Sequence, residues 1–158
     1  MCGIFIVVAI IGKFGGALFS ARFVGESWKD SFPGTSDEEI KAIYDGIKLP
    51  KRATRGSAGY DFFSPVDFTL KPGETIKIPT GIRVFIEEDW VLNIFPRSGL
   101  GFKFRLQMNN TVGIIDSDYF YSDNEGHIFV KLTNDSNEGK TVSVEQGTGT
   151  VSYTHLTL

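Results

Sequence analysis

Gly113-Ile114-Ile115-Asp116-Ser117-Asp118-Tyr119 places two carboxylates and a phenol within a few positions, entered by an apolar run and left by a turn-rich segment. In a strand, side chains alternate faces, so Asp116 and Asp118 share one side and Ser117 and Tyr119 the other. Two carboxylates on one face can hold a metal-bound phosphate, orient a water, or simply decorate a hairpin. The neighbouring sequence decides among them.

Around this stretch the texture is β. Tyr60 to Ser64, Thr75 to Ile78, Ile82 to Ile86, Trp90 to Phe95, His127 to Leu132 and Lys140 to Val144 read as short strands. Lys71-Pro72-Gly73-Glu74 has the chemistry of a type II turn. Glu87-Glu88-Asp89 is a polar hairpin connection. Short strands with frequent turn signals imply an all-β sandwich or barrel. Ser36 to Ile47 is the one clear helix. Ser36 and Glu39 form a capping box, and Ile40, Ile43, Tyr44 and Ile47 fall on one face. Gly46 weakens its last turn, and Pro50 limits its continuation.

The chain has 158 residues, 41% of them hydrophobic, which suits one domain with a sizeable core. A net charge of -3 does not suit a general nucleic-acid binder, so a polyanionic ligand would need a local cluster of donors. Cys2 is the single cysteine, which excludes an intrachain disulfide framework and fits a reducing, cytoplasmic compartment. Two histidines leave few soft ligands for a structural zinc. Met1 to Ile11 are nearly all apolar, but Lys13 interrupts the run, which is too short for a membrane span, and no positive charge precedes these residues as in a signal peptide. They read as a buried strand, or as upstream sequence translated from a misplaced start.

Two further motifs carry chemistry. Gly56-Ser57-Ala58-Gly59-Tyr60-Asp61-Phe62 combines glycines that let the backbone approach a ligand with a carboxylate able to hold a hydrated metal ion. Alone it is also a plain loop. Pro96-Arg97-Ser98-Gly99-Leu100-Gly101 offers a guanidinium, a hydroxyl and glycine-freed amides, the donors that phosphate oxygens need. Alone it is also a proline-initiated turn with a surface arginine. In Asn110 to Tyr119, an amide six residues before Asp116 suggests polar recognition of a base beside a reacting centre.

Together and in this order, AGYDF, PRSGLG and NNTVGIIDSDY, with KLPKRAT leading in, resemble the trimeric deoxyuridine triphosphatase (dUTPase) family. The likeness runs from about Leu49 to Gly149. It implies an all-β, jelly-roll-like barrel or sandwich with one short helix at about 36–47. It further implies a homotrimer whose active sites are shared between chains, with dUTP hydrolysed to dUMP and pyrophosphate. By position, Asp116 matches the catalytic aspartate that activates the attacking water. Tyr119 matches the residue packed on the deoxyribose, and Asn110 the one that meets the uracil edge. Arg97, Ser98 and Gly99 match the phosphate-binding loop. Asp61 matches the aspartate that contacts Mg²⁺ through water. No nucleic-acid or membrane partner is expected.

The sequence departs from the family pattern twice. The family continues D-Y-R-G-E, whereas Asp118-Tyr119 is followed here by Phe120-Tyr121-Ser122-Asp123-Asn124-Glu125-Gly126-His127, a longer loop without the arginine. Beyond Glu145-Gln146-Gly147-Thr148-Gly149, the fourth motif's Ala-Gln pair and the fifth, glycine-rich motif are missing. GTC TCT TAT ACA CAT CTG ACG CTG would encode Val151 to Leu158 and resembles a transposon-based sequencing adapter. The expected organisation is an apolar segment at 1–20, a dUTPase-like domain at 21–149 cut within its fourth motif, and a non-native tail at 150–158. Such a cut would remove closing strands, expose sheet edges and leave an inactive fragment. A dCTP deaminase-like enzyme shares the fold and a related Arg-Ser loop but lacks AGYDF and D-x-D-Y. A non-enzymatic dUTPase-like regulatory protein is the alternative from a different class.

Overall fold

Alternation of apolar and polar residues at period two builds most of the protein. In the computed structural model the main chain is described for residues 6–8, 18–21 and 34–157, and side chains for residues 34–151. The strands are β1 (Ile6–Val8), β2 (Leu18–Ala21), β3 (Tyr60–Phe63), β4 (Phe68–Leu70), β5 (Thr75–Pro79) and β6 (Ile82–Phe85). They continue with β7 (Trp90–Pro96), β8 (Leu106–Met108), β9 (Gly113–Ile115), β10 (Phe129–Asn134), β11 (Val142–Val144) and β12 (Gly149–Thr157). The sheets run β1-β2-β6, β5-β10-β8, β11-β4 and β3-β12-β7-β9, with antiparallel pairing throughout.

Phe68 and Leu70, Leu106 and Met108, and Val142 and Val144 each bury both ends of a three-residue strand and expose its middle. These side chains meet Leu92, Ile94, Ile128, Val130 and Leu132 in one core. Leu92 and Leu132 are fully buried, and burying one such side chain contributes about 1.5–3 kcal/mol. A polar member, Asn134, is buried too. Its Nδ2 donates to the carbonyls of Leu70 and Lys140, and its oxygen accepts from Ser136 N–H.

The local signals hold where they were strongest. Helix α1 covers Asp37–Asp45, inside the expected span, and both halves of the Ser36–Glu39 capping box are formed. Gly46 ends it. In the turn at 71–74, Glu74 N–H bonds the Lys71 carbonyl at 3.0 Å and Gly73 has φ +82, as a type II turn requires.

Two segments correct the sequence reading. Residues Ser98–Phe104 form a second helix, α2, where a phosphate-binding loop was expected. The Arg97 carbonyl opens it by accepting from Leu100 and Gly101 N–H. Arg105 closes it in the left-handed region, φ 50. Asp135 takes both the Arg105 guanidinium, at 2.9 Å, and, through its own N–H, the Arg105 carbonyl. Residues Ser117–Tyr121 form a 3-10 helix capped by Asp116, so the strand stops at Ile115 and the shared-face argument for Asp116 and Asp118 fails.

The last segment, from Gly149, forms β12 between β3 and β7, in register with β7 from Val151 opposite Pro96 to Thr157 opposite Trp90. Ladder bonds use main-chain N–H and C=O groups, which almost any proline-free segment supplies. Of the apolar segment at 1–20, only the strands at 6–8 and 18–20 fall within the described residues, and β2 continues to Ala21, pairing with β6.

Candidate functional site

The functional residues assemble at two places. The first lies where β3, the end of β7 and the start of β12 meet. Asp61 on β3 is buried, and Pro96 delivers Arg97 directly from the end of β7. Arg97 Nη1 lies 3.1 Å from Asp61 Oδ2, and Arg97 N–H bonds the Thr150 carbonyl. The guanidinium has five donors, and 42% of the Arg97 side chain stays exposed. Gly149 permits this approach: a Cβ there would stand 2.8 Å from Arg97 Nη1. Ser98 and Gly99 follow, both exposed. An open cavity of about 370 Å³ is lined by Pro96, Arg97, Ser98, Gly101 and Phe102 among others.

This cluster offers positive charge and outward donors, with one carboxylate behind them. It suits a polyanion such as a phosphate chain. Among the described residues, no three metal-ligating side chains converge. A lone, largely buried carboxylate fits a cation held through waters and ligand phosphates better than a protein cage.

The second place is the turn that carries the chain from β8 in one sheet to β9 in another, and the loop that follows β9. Asn109 N–H bonds the Lys131 carbonyl, and its Oδ1 accepts from the Thr133 hydroxyl, which anchors the turn. Asn110 is exposed in that turn, and Thr111 takes φ 64. Gly113 packs so closely that a Cβ would meet Met108 Cε at 3.1 Å and Ile94 Cβ at 3.2 Å. Ile114 is 62% exposed, an apolar surface beside the turn. Asp116 is exposed in extended backbone, φ -81 and ψ 164, and its carboxylate caps no helix N–H.

Tyr119 is half-buried against the core. Its hydroxyl donates to the His127 carbonyl at 2.9 Å and accepts from Asn124 Nδ2 at 3.0 Å. His127 itself is buried, and its Nε2 accepts from Gly81 N–H at 2.9 Å. Burial, with the nearby Lys77 charge adding to it, lowers the His127 pKa to about 4. The imidazole is therefore neutral near pH 7, with its proton on Nδ1.

The register separates the two places within one chain. β9 runs antiparallel to β7, with Gly113 opposite Ile94 and Ile115 opposite Leu92. Asp116 therefore follows at the Val91 level, whereas Arg97 leaves the other end of the strand. Six strand residues span about 20 Å. Asp61 and Arg97 come together; Asp116 and Tyr119 come together; one chain does not join the pairs. Asn110 lies in the turn before β9 and Asp116 just after it, so the base-side and water-side candidates flank one short strand.

Sequence reasoning passed over Ser122, Asn124 and His127 as functional candidates. They sit in the loop where the sequence leaves the family pattern, and Asn-Glu-Gly marks only a turn. Their hydrogen-bond partners are invisible to spacing.

Comparison with known proteins gives a consistent result. The dUTPase family model matches residues 45–149. A deoxyuridine 5'-triphosphate nucleotidohydrolase of Lactococcus lactis is 41% identical over 103 residues, covering 65% of this chain and 67% of that protein. One from Fusobacterium nucleatum is 40% identical over 114 residues, covering 70% and 75%. Among solved structures, the dUTPase of Streptococcus mutans superposes with a TM-score of 0.63 at 34% identity, covering 72% of this chain and 88% of that one.

Proposed function

Because the chain belongs to the dUTPase family, its activity is that of a deoxyuridine 5'-triphosphate nucleotidohydrolase, and we propose that it works through sites shared between the subunits of a homotrimer. Water attacks the α-phosphorus of dUTP in line, the bond to the bridging oxygen breaks, and dUMP and pyrophosphate leave. The observation that carries the shared-site reading is the separation along β7. Asp116 and Tyr119 belong to one end of the strand, and Asp61 and Arg97 to the other. A second chain must bring one half to the other.

In this reading Asp116 accepts a hydrogen bond from the attacking water and takes its proton. Its exposure and uncapped carboxylate support that role. Asn110 meets the uracil edge, and Tyr119 packs on the deoxyribose and excludes a 2′-hydroxyl. Arg97, Ser98 and Gly99 hold the phosphates. Phosphoryl chemistry depends mostly on such positioning and charge stabilisation. Asp61 would hold a hydrated Mg²⁺ through water. When bound, the cation offsets the triphosphate charge and restricts its shape. The cytoplasm is the proposed compartment. Among the described residues no helix is long and apolar enough to cross a membrane.

Two measurements test this. Pyrophosphate release with Mg²⁺ should be found for dUTP and not for UTP, dTTP or dCTP; ammonia release from dCTP would instead indicate a deaminase. Mixing separately inactive Asp116→Asn and Arg97→Ala proteins should restore activity, since about a quarter of statistically mixed interfaces would carry both intact residues. Mixed trimers without activity would overturn the shared site.

A further inference from the structure

The loop that departs from the family pattern is tied to Tyr119 by an unbroken set of hydrogen bonds. We infer that Asn124 is a positioning residue for Tyr119, so that loop 120–126 sets the discrimination between deoxyribose and ribose. This rests on the proposed contact of Tyr119 with the sugar.

A phenol has one proton to donate, and the Tyr119 proton goes to the His127 carbonyl at 2.9 Å. Its oxygen also accepts from Asn124 Nδ2 at 3.0 Å. The hydroxyl is thus committed to the protein, and what Tyr119 offers a ligand is the position of its ring. Small displacements of that ring decide whether a 2′-hydroxyl fits beneath it.

The Asn124 amide has one orientation that satisfies its surroundings. Nδ2 donates to the Tyr119 oxygen and to the His127 carbonyl, at 3.0 and 3.1 Å. Oδ1 accepts from Gly126 N–H at 3.2 Å and faces the Ser122 hydroxyl at 2.7 Å. Flipping the amide would set its oxygen against the His127 carbonyl and its NH₂ against the Gly126 N–H. Asn124 therefore reads the loop backbone with one end and fixes the phenol with the other.

The loop is itself held in place. Arg83 on β6 stacks on the Phe120 ring at 3.6 Å and donates from Nη2 to the Phe120 carbonyl at 2.6 Å. Phe120 also meets Phe85 edge to face. Gly126, at φ +75, passes so near that a Cβ would lie 2.8 Å from Phe120 Cα.

The test is kcat and KM for dUTP and UTP across a set of variants. Asn124→Ala and Tyr119→Phe should each raise the UTP-to-dUTP ratio of kcat/KM by about fivefold to tenfold, the worth of one hydrogen bond. The double variant should fall short of the sum of the two, because both remove the bond between Asn124 Nδ2 and the Tyr119 oxygen while each also removes bonds of its own. Asn124→Asp keeps the acceptor for Gly126 N–H but turns a second oxygen towards the His127 carbonyl, so it should shift the ratio at least as far as Asn124→Ala. Tyr119→Ala serves as control. If it changes the ratio while neither Asn124 variant does, Asn124 is only structural and the inference fails. If Tyr119→Ala also leaves the ratio unchanged, the sugar contact itself fails and takes the inference with it. Additive effects in the double variant would likewise overturn it.

Discussion

The segment that begins at Arg97 leaves the end of β7, and the loop from Asp116 to His127 leaves the paired strand β9 near the opposite end of β7, yet one is open and the other finished. In the loop after β9, Tyr119, Ser122, Asn124, Gly126 and His127 are hydrogen-bonded to one another. In the arginine segment, Ser98 and Gly99 face outward, Phe102 is 90% exposed, and the short α2 buries none of its residues. Local strain marks both. The non-glycine residues with positive φ among those described are Arg105 at the end of α2, Thr111 in the turn and Glu125 in the loop. Such conformations cost energy and persist only where the surroundings hold them. The difference suggests a division of labour. On the proposed assignment, the sugar side would be preorganised within one chain, and the phosphate side completed by a ligand and a second subunit.

The most drastic way to break the comparison is Asp116→Asn. It should lower kcat at least about a hundredfold, the scale of a lost general base, while binding of a non-hydrolysable dUTP analogue changes little. Single-turnover kinetics and titration calorimetry would separate the two effects. Equal losses in binding and turnover would make Asp116 a binding group instead.

The closed loop has a pH signature. His127 has a pKa of about 4 in the folded protein against 6.5 for an ordinary histidine. The unfolded chain therefore takes up the proton first, and stability present above pH 6.5 declines as pH falls towards 4. The limiting loss is about 3 kcal/mol. Urea unfolding across this range should show it. His127→Gln, which can keep an acceptor for Gly81 N–H without titrating, should flatten that part of the profile.

A smaller and more direct contrast uses two glycines. Gly126→Ala places a Cβ against the Phe120 backbone at positive φ and should cost about 2 kcal/mol. At Gly99, inside α2, a Cβ meets nothing within 4 Å, so Gly99→Ala should be neutral or stabilise by up to about 1 kcal/mol. Equal effects in urea titrations would erase the distinction between a closed and an open segment.

Much of the fold could be read from local pattern. The capping box at Ser36 and Glu39 and the turn at Pro72-Gly73 use partners three residues apart, so their chemistry is written in adjacent letters. The same holds for short strands such as Phe68–Leu70, whose alternation shows a buried face. Helix α2 escaped notice because Ser98-Gly99-Leu100-Gly101 contains two helix-weakening glycines and buries no stripe. The 3-10 helix at Ser117–Tyr121 escaped because alternating carboxylates resemble a strand until the chain turns.

The candidate site residues were drawn from three short motifs, and those motifs sufficed to place the chain in its family. Their spatial grouping did not follow from the sequence. Asp61 meets Arg97 across 36 positions, Tyr119 is clamped by Asn124, and Asp116 stands at the far end of β7 from Arg97. Spacing along a chain determines which groups share a helix face, a turn or a cap, because those bonds close over a few residues. Which distant groups share a site depends on sheet register, and register is set by the whole core packing at once.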